Sequence, residues 1–177
     1  MATSASRGSS IVATTGTTWA NADTATVCDG SVGTNPATYA TWDNSTGNSV
    51  GTITIGGYSF SGVGGGDTIN SVSADITHID DAANRFSSIT VQLQDSSGAD
   101  IGSAATGTVS ASAHTDTLTL GTPTAAQVLA GLRILVTATK TQHNFSTTFS
   151  LDYVDITVDY TAAPTNNVQF FAVNQYW

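Results

Sequence analysis

Apolar and polar side chains alternate with a period of two along much of this 177-residue chain. The clearest case is residues 149–161, FSLDYVDITVDYT. There Val154, Ile156, Val158 and Tyr160 fall on one side, and Asp155, Thr157 and Asp159 on the other. Successive side chains of a strand point to opposite faces, so this segment predicts a strand with one dry and one wet face. The same grammar recurs elsewhere. Val72, Ala74 and Ile76 share a face within residues 68–79, as do Ile89, Val91 and Leu93, then Leu118 with Leu120, and Leu132 with Ile134, Val136 and Ala138. Residues 49–60 carry Val50, Ile53, Ile55, Tyr58 and Phe60, with Gly56-Gly57 predicting a bulge or bend within the strand. Ile101 is expected to start a further short strand.

Between these segments lie turn signals. Asp29-Gly30, Gly64-Gly65-Gly66-Asp67 and Asp95-Ser96-Ser97-Gly98 predict turns, and residues 80–84 a polar connection. One segment breaks the pattern: residues 122–131, TPTAAQVLAG, offer a hydroxyl cap, an early proline, good helix formers and a closing glycine. That spelling predicts one or two turns of helix. About eight short strands with a single helical connection favour antiparallel pairing, because parallel strands need long crossovers. The expected fold is therefore all-β: an antiparallel two-sheet β-sandwich, jelly-roll-like, with one short helix, a closed barrel being the competitor. Residues 1–18, small and polar, are expected as a flexible or partner-ordered arm, residues 19–161 as the sandwich, and residues 162–177 as an extended tail.

Composition narrows what such a domain does. Hydrophobic residues make up 40% of the chain and charged residues only 10%, a balance that favours a folded core over disorder. The net charge is −9, and Arg7, Arg85, Arg133 and Lys140 are scattered, so no basic stripe exists to neutralise phosphates and nucleic acid is not an expected partner. No stretch of about 18 apolar residues predicts a membrane span, and MATSASRGSS lacks the apolar segment of a secretory signal; synthesis in a cytoplasm is expected. Cys28 is the only cysteine, which removes an internal disulfide and a cysteine-based zinc site; it is expected to be buried and inert.

The order of motifs resembles a β-sandwich domain of tailed-bacteriophage virion proteins, the minor tail, fibre-like and decoration proteins. Trp19, Asp29-Gly30 and Ala37-Thr38-Tyr39-Ala40-Thr41 come in the family's order. They are followed by Tyr58-Ser59-Phe60, by GDTINSVSADI at residues 66–76, and by Val91-Gln92-Leu93 through Ile101-Gly102. TAAQVLAGLRILVTA at residues 124–138 and DYVDITVDY at residues 152–160 close the set. The resemblance spans residues 19–161 and implies a structural or attachment role on the surface of a virion, among copies of itself and other virion proteins, with no catalytic residues and no cofactor.

Candidate chemistry is sparse. His78, His114 and His143 lie far apart and none has a His or Cys at metal-ligand spacing, so no metal site is expected. Asp75 with Asp80-Asp81, or Asp152, Asp155 and Asp159, offer oxygen ligands to calcium, but alternate acidic residues on a wet strand face more often serve solubility. No Gly-x-Ser-x-Gly elbow stands between a strand and a helix, and no lysine follows the glycines at 62–66 as a phosphate cradle requires. An internal isopeptide bond needs a core lysine, and Lys140, the only lysine, is expected at a strand end. Two functional candidates remain. Phe170, Phe171, Val173, Tyr176 and Trp177 carry the aromatic area typical of interface anchors and are expected to dock on a partner subunit, the alternative being that the tail adds a strand to its own sheet or covers its own core. Tyr39, Trp42 and Tyr58 are the alternative: on the surface they would stack on host glycans in an attachment module, but packing favours the core.

Overall fold

A computed structural model of the chain describes residues 1–16, 19–20, 39–44, 48–80, 85–141 and 147–164. Its strands are β1 (Ala2–Arg7), β2 (Ser10–Thr15), β3 (Trp19–Ala20), β4 (Ala40–Asn44), β5 (Val50–Gly56), β6 (Thr68–Asp80), β7 (Phe86–Asp95), β8 (Ala105–Gly107) and β9 (His114–Leu120). Helix α1 (Ala125–Ala130), β10 (Leu132–Lys140) and β11 (Thr147–Thr161) follow. They form two antiparallel sheets. One runs β3-β4-β11-β6-β9, with β1 also pairing with β11; the other runs β2-β5-β10-β7-β8. The expected two-sheet sandwich is what forms, and neither sheet closes on itself.

The alternation read in the sequence is the packing between the sheets. Val72, Ala74 and Ile76 on β6 and Val154, Ile156 and Val158 on β11 meet Ile53 and Ile55, Ile89, Val91 and Leu93, and Ile134, Val136 and Ala138 from the opposite sheet, all essentially without solvent contact. Burying each aliphatic side chain of this size contributes about 1.5–3 kcal/mol, so these inner faces dominate the stabilisation. β11 carries a bulge between Leu151 and Tyr153 in its pairing with β6. The inward positions therefore shift from odd numbers, Phe149 and Leu151, to even ones, Val154 onward, and Asp152 is buried at the break.

The helix is fixed by a reciprocal cap. The Gln127 amide donates to Thr124 Oγ1 at 3.2 Å while the Thr124 amide donates to Gln127 Oε1 at 2.8 Å, and Gly131 closes the C-terminus at φ 105°. Pro123 thus precedes the cap rather than opening the first turn. The turns at 64–67 and 95–98 form as expected, closed by Asp67 N–H to Gly64 O and Gly98 N–H to Asp95 O.

Three expectations change. Residues 2–15, read as an arm, are strands in both sheets: β1 pairs with β11 from Ala2 opposite Tyr160 to Arg7 opposite Asp155, and β2 pairs with β5. The chain passes from one sheet to the other at Gly8 and Ser9, whose amides donate to Val154 O and Gly56 O. The sandwich accordingly includes β1 and β2. The strand expected to bend through Gly56-Gly57 instead ends at Gly56, since Gly57 takes φ 75° and leaves the ladder. Ile101 starts no strand; its amide donates to Leu93 O, and the short strand is β8, four residues on. The Asp29-Gly30 turn, Cys28 and the connection at 81–84 lie outside the described residues.

Candidate functional site

The densest polar cluster among the described residues sits at the end of the β6–β9 pair. The register sets Val72 opposite Leu120 and runs without a break to His78 opposite His114. Because inward positions on β6 are even-numbered here, His78 and Asp80 continue the face of Val72, Ala74 and Ile76 into the interior, and both are fully buried. On β9, His114 and Asp116 share the face of Leu118 and Leu120, with Asp116 one diagonal step from His78. The two imidazoles stack edge to face with centroids 4.2 Å apart, and Phe149 closes the inner side of His78 at 5.6 Å.

Asp116 is the hub. Its Oδ2 lies 3.2 Å from His78 Nε2 and 3.5 Å from His114 Nε2, and it accepts the Thr108 amide at 2.7 Å. Burial pushes the Asp116 carboxyl up, but the Thr108 amide, the His78 ring, the Thr108 hydroxyl and the charge of His114 outweigh it and hold its pKa below the usual carboxylate value. Space for this carboxylate depends on Gly107: a Cβ there would stand 2.7 Å from Asp116 Oδ2. On the far side of His78, Nδ1 is 3.6 Å from Asp80 Oδ1, and neither atom has a hydrogen-bond partner among the described residues. Asp80 Oδ2 accepts the Ser110 amide at 2.8 Å, and the Asp80 amide donates back to Ser110 O. His114 holds the same connection: Nδ1 is 3.1 Å from Ser112 O and Nε2 is 3.0 Å from Thr108 O.

The segment from Thr108 to Ser112 joins β8 of one sheet to β9 of the other, so the cluster pins the crossing between the two layers. The ligand atoms of His78, His114 and Asp116 all lie within 4.8 Å of one another. This corrects the reading that the histidines are too far apart to act together. Thirty-six residues separate His78 from His114 in sequence, but antiparallel pairing makes them direct neighbours. The available signal was parity: His78 falls on the dry face of β6, and His114-x-Asp116 falls on one face of β9. His143 lies outside the described residues. The Ser110 hydroxyl donates to Ser112 O rather than to an imidazole.

The other sequence candidates separate. Tyr39, Trp42 and Tyr58 are buried, Trp42 completely and against Phe86, so none offers a ring face to a sugar. Packing decides against their glycan role. Asp75, Asp155 and Asp159 stay on the wet face, each with a neighbour: Thr117 Oγ1 donates to Asp75, Arg7 makes a two-pronged pair with Asp155 at 2.7 and 2.8 Å, and Asn70 donates to Asp159. Lys140 does end β10, but inside the core rather than outside it, fully buried opposite Phe86. Phe170, Phe171, Val173, Tyr176 and Trp177 lie outside the described residues. A surface depression of about 350 Å³ is lined by Ser10, Val12, Gly57, Tyr58, Ser96 and Arg133 among others.

No protein-family model matches the chain, and no curated protein does. Among solved structures it is similar to the Arthrobacter globiformis T6 isomalto-dextranase complexed with panose, at 14% identity and a TM-score of 0.37, over 66% of this chain and 18% of that one. It is also similar to infectious bursal disease virus, Gx strain, at 8% identity and a TM-score of 0.35, over 72% of this chain and 33% of that one. The chain thus spans a third or less of either neighbour, and likeness at this level assigns no activity.

Proposed function

We propose that this chain is a non-enzymatic structural protein of a tailed-bacteriophage virion, a minor tail or head decoration protein exposed on the particle and assembled with copies of itself and other virion proteins. The observation that carries the reading is the fit between motif order and architecture. Three segments of the resemblance, residues 66–76, 124–138 and 152–160, become β6, the α1–β10 unit and β11, which sit inside the two sheets rather than at their edges. A scaffold whose recognisable sequence is spent on packing suits a subunit that must be rigid and repeated. Attachment to partners falls to the aromatic residues Phe170, Phe171, Val173, Tyr176 and Trp177, which supply large area at low conformational cost.

The carbohydrate-binding alternative loses its named residues, since Tyr39, Trp42 and Tyr58 belong to the core. The docking reading has a direct test. A chain lacking residues 168–177 is expected to remain folded by circular dichroism yet fail to enter particles in competition with the full chain. Incorporation at the full-length level would contradict it.

A further inference from the structure

We infer that His78, His114 and Asp116 form a binding site for a zinc-type divalent transition metal that clamps the β8–β9 connection onto β6. The inference is independent of the proposed virion role. Its first support is spacing. Metal–ligand bonds of about 2.0–2.1 Å place the corners of a tetrahedron about 3.4 Å apart. His78 Nε2 and His114 Nε2 stand 3.2 and 3.5 Å from Asp116 Oδ2, close to that edge length before any ion is added.

The second support is an excess of lone pairs. A neutral imidazole has one N–H, yet both nitrogens of His114 face backbone carbonyl oxygens, Ser112 O and Thr108 O. A neutral ring would set one of its lone pairs against a carbonyl oxygen, so the surroundings of His114, with Asp116 Oδ2 3.5 Å from Nε2, favour a positive charge there, carried by a second proton or by a metal ion. A metal on Nε2 supplies that charge, with Thr108 O 3.0 Å from the same nitrogen.

The third support is the outer shell. Metal-bound imidazoles commonly donate their second N–H to a carboxylate or a backbone carbonyl; Ser112 O is 3.1 Å from Nδ1 of His114, and Asp80 Oδ1 stands 3.6 Å from Nδ1 of His78, a small shift short of a hydrogen bond. Asp80 Oδ1 and His78 Nδ1, both buried, have no hydrogen-bond partner among the described residues, which leaves both atoms available to each other once the ring is metallated. Two imidazoles and one carboxylate select zinc and its neighbours over calcium or magnesium, which take oxygen ligands.

The test is a calorimetric titration of the full chain, stripped with chelator, with zinc chloride, alongside thermal melting. One equivalent of zinc is expected to bind and raise the melting midpoint, as any ligand of the native state does. His114→Gln and Asp116→Asn should abolish that equivalent while circular dichroism shows the sandwich intact. Asp80→Asn, which turns an amide N–H toward His78 Nδ1 and forces the proton onto Nε2, should weaken zinc by roughly 10–100-fold. Should a substitution unfold the domain, the imidazole resonances of the unaltered chain carry the test: two rings must shift with the first equivalent of zinc. Absence of a one-equivalent uptake, or uptake unchanged in both His114→Gln and Asp116→Asn, overturns the inference.

Discussion

At Gly8 the backbone of the first crossing runs so close to the core that a methyl group would overlap Ile55 Cγ2 and crowd the Tyr58 ring. Ile55 is fully buried on β5, and its position is fixed by pairing to Ile134 on one side and Ile11 on the other. It has no room to retreat. Gly8→Ala is therefore expected to cost about 1–3 kcal/mol, the usual range for overpacking, read as a lower denaturant midpoint with an unchanged slope. A midpoint equal to that of the unaltered chain would mean that the crossing does not lie against the core. The residue scale is also where sequence reading was weakest. Parity places His78 on the dry face of β6, but local text does not say that His114 lies opposite it, because register is decided by the whole strand. Lys140 ends β10 as expected, but position at a strand end does not reveal that it is buried, opposite Phe86.

The elements were easier to read where they bury apolar side chains. β6, β7, β10 and β11 announce themselves because alternate large residues face a dry layer, and α1 because cap, formers and glycine occur in order. β1 and β2 did not, since ATSASR and SIVATT carry little apolar area. β1 is held mainly by backbone pairing to β11, by the Arg7–Asp155 bridge and by the Arg7 guanidinium 4.8 Å above the Tyr153 ring. Both members of that bridge are about a third exposed, so it adds no more than about 1 kcal/mol. Connections between elements carry a pH signature. The Gly64 and Ala163 amides hold Asp67 below its ordinary value of 3.8, and so joins the turn before β6 to the segment after β11. The Ser97 hydroxyl and the Ala99 amide do the same for Asp95 in the turn after β7. A depressed carboxyl pKa stabilises the fold above the unfolded value and loses that contribution as pH falls through the folded one. The melting midpoint should thus decline below about pH 4, and Asp95→Asn should make that decline shallower. An acid limb identical in the two proteins would contradict the role of this turn.

Across the whole molecule, two open sheets enclose one apolar layer. The histidine cluster ties the layers together where the chain crosses between them, and the wet faces are covered by Thr, Ser, Asn and Asp. A domain of this kind suits a rigid, repeated part, and the assembly we propose for it, from the motif order of residues 19–161, is the virion of a tailed phage. The fold was legible because periodicity and turn chemistry act locally. The proposed role rests on the order of weak motifs alone. The most direct measurement is protein mass spectrometry of purified particles produced from the genome that encodes this chain. The account predicts the chain among the particle proteins, at a copy number in a small fixed ratio to a major tail or head protein. Particles that lack it, from cells in which the chain is abundant, would contradict the account.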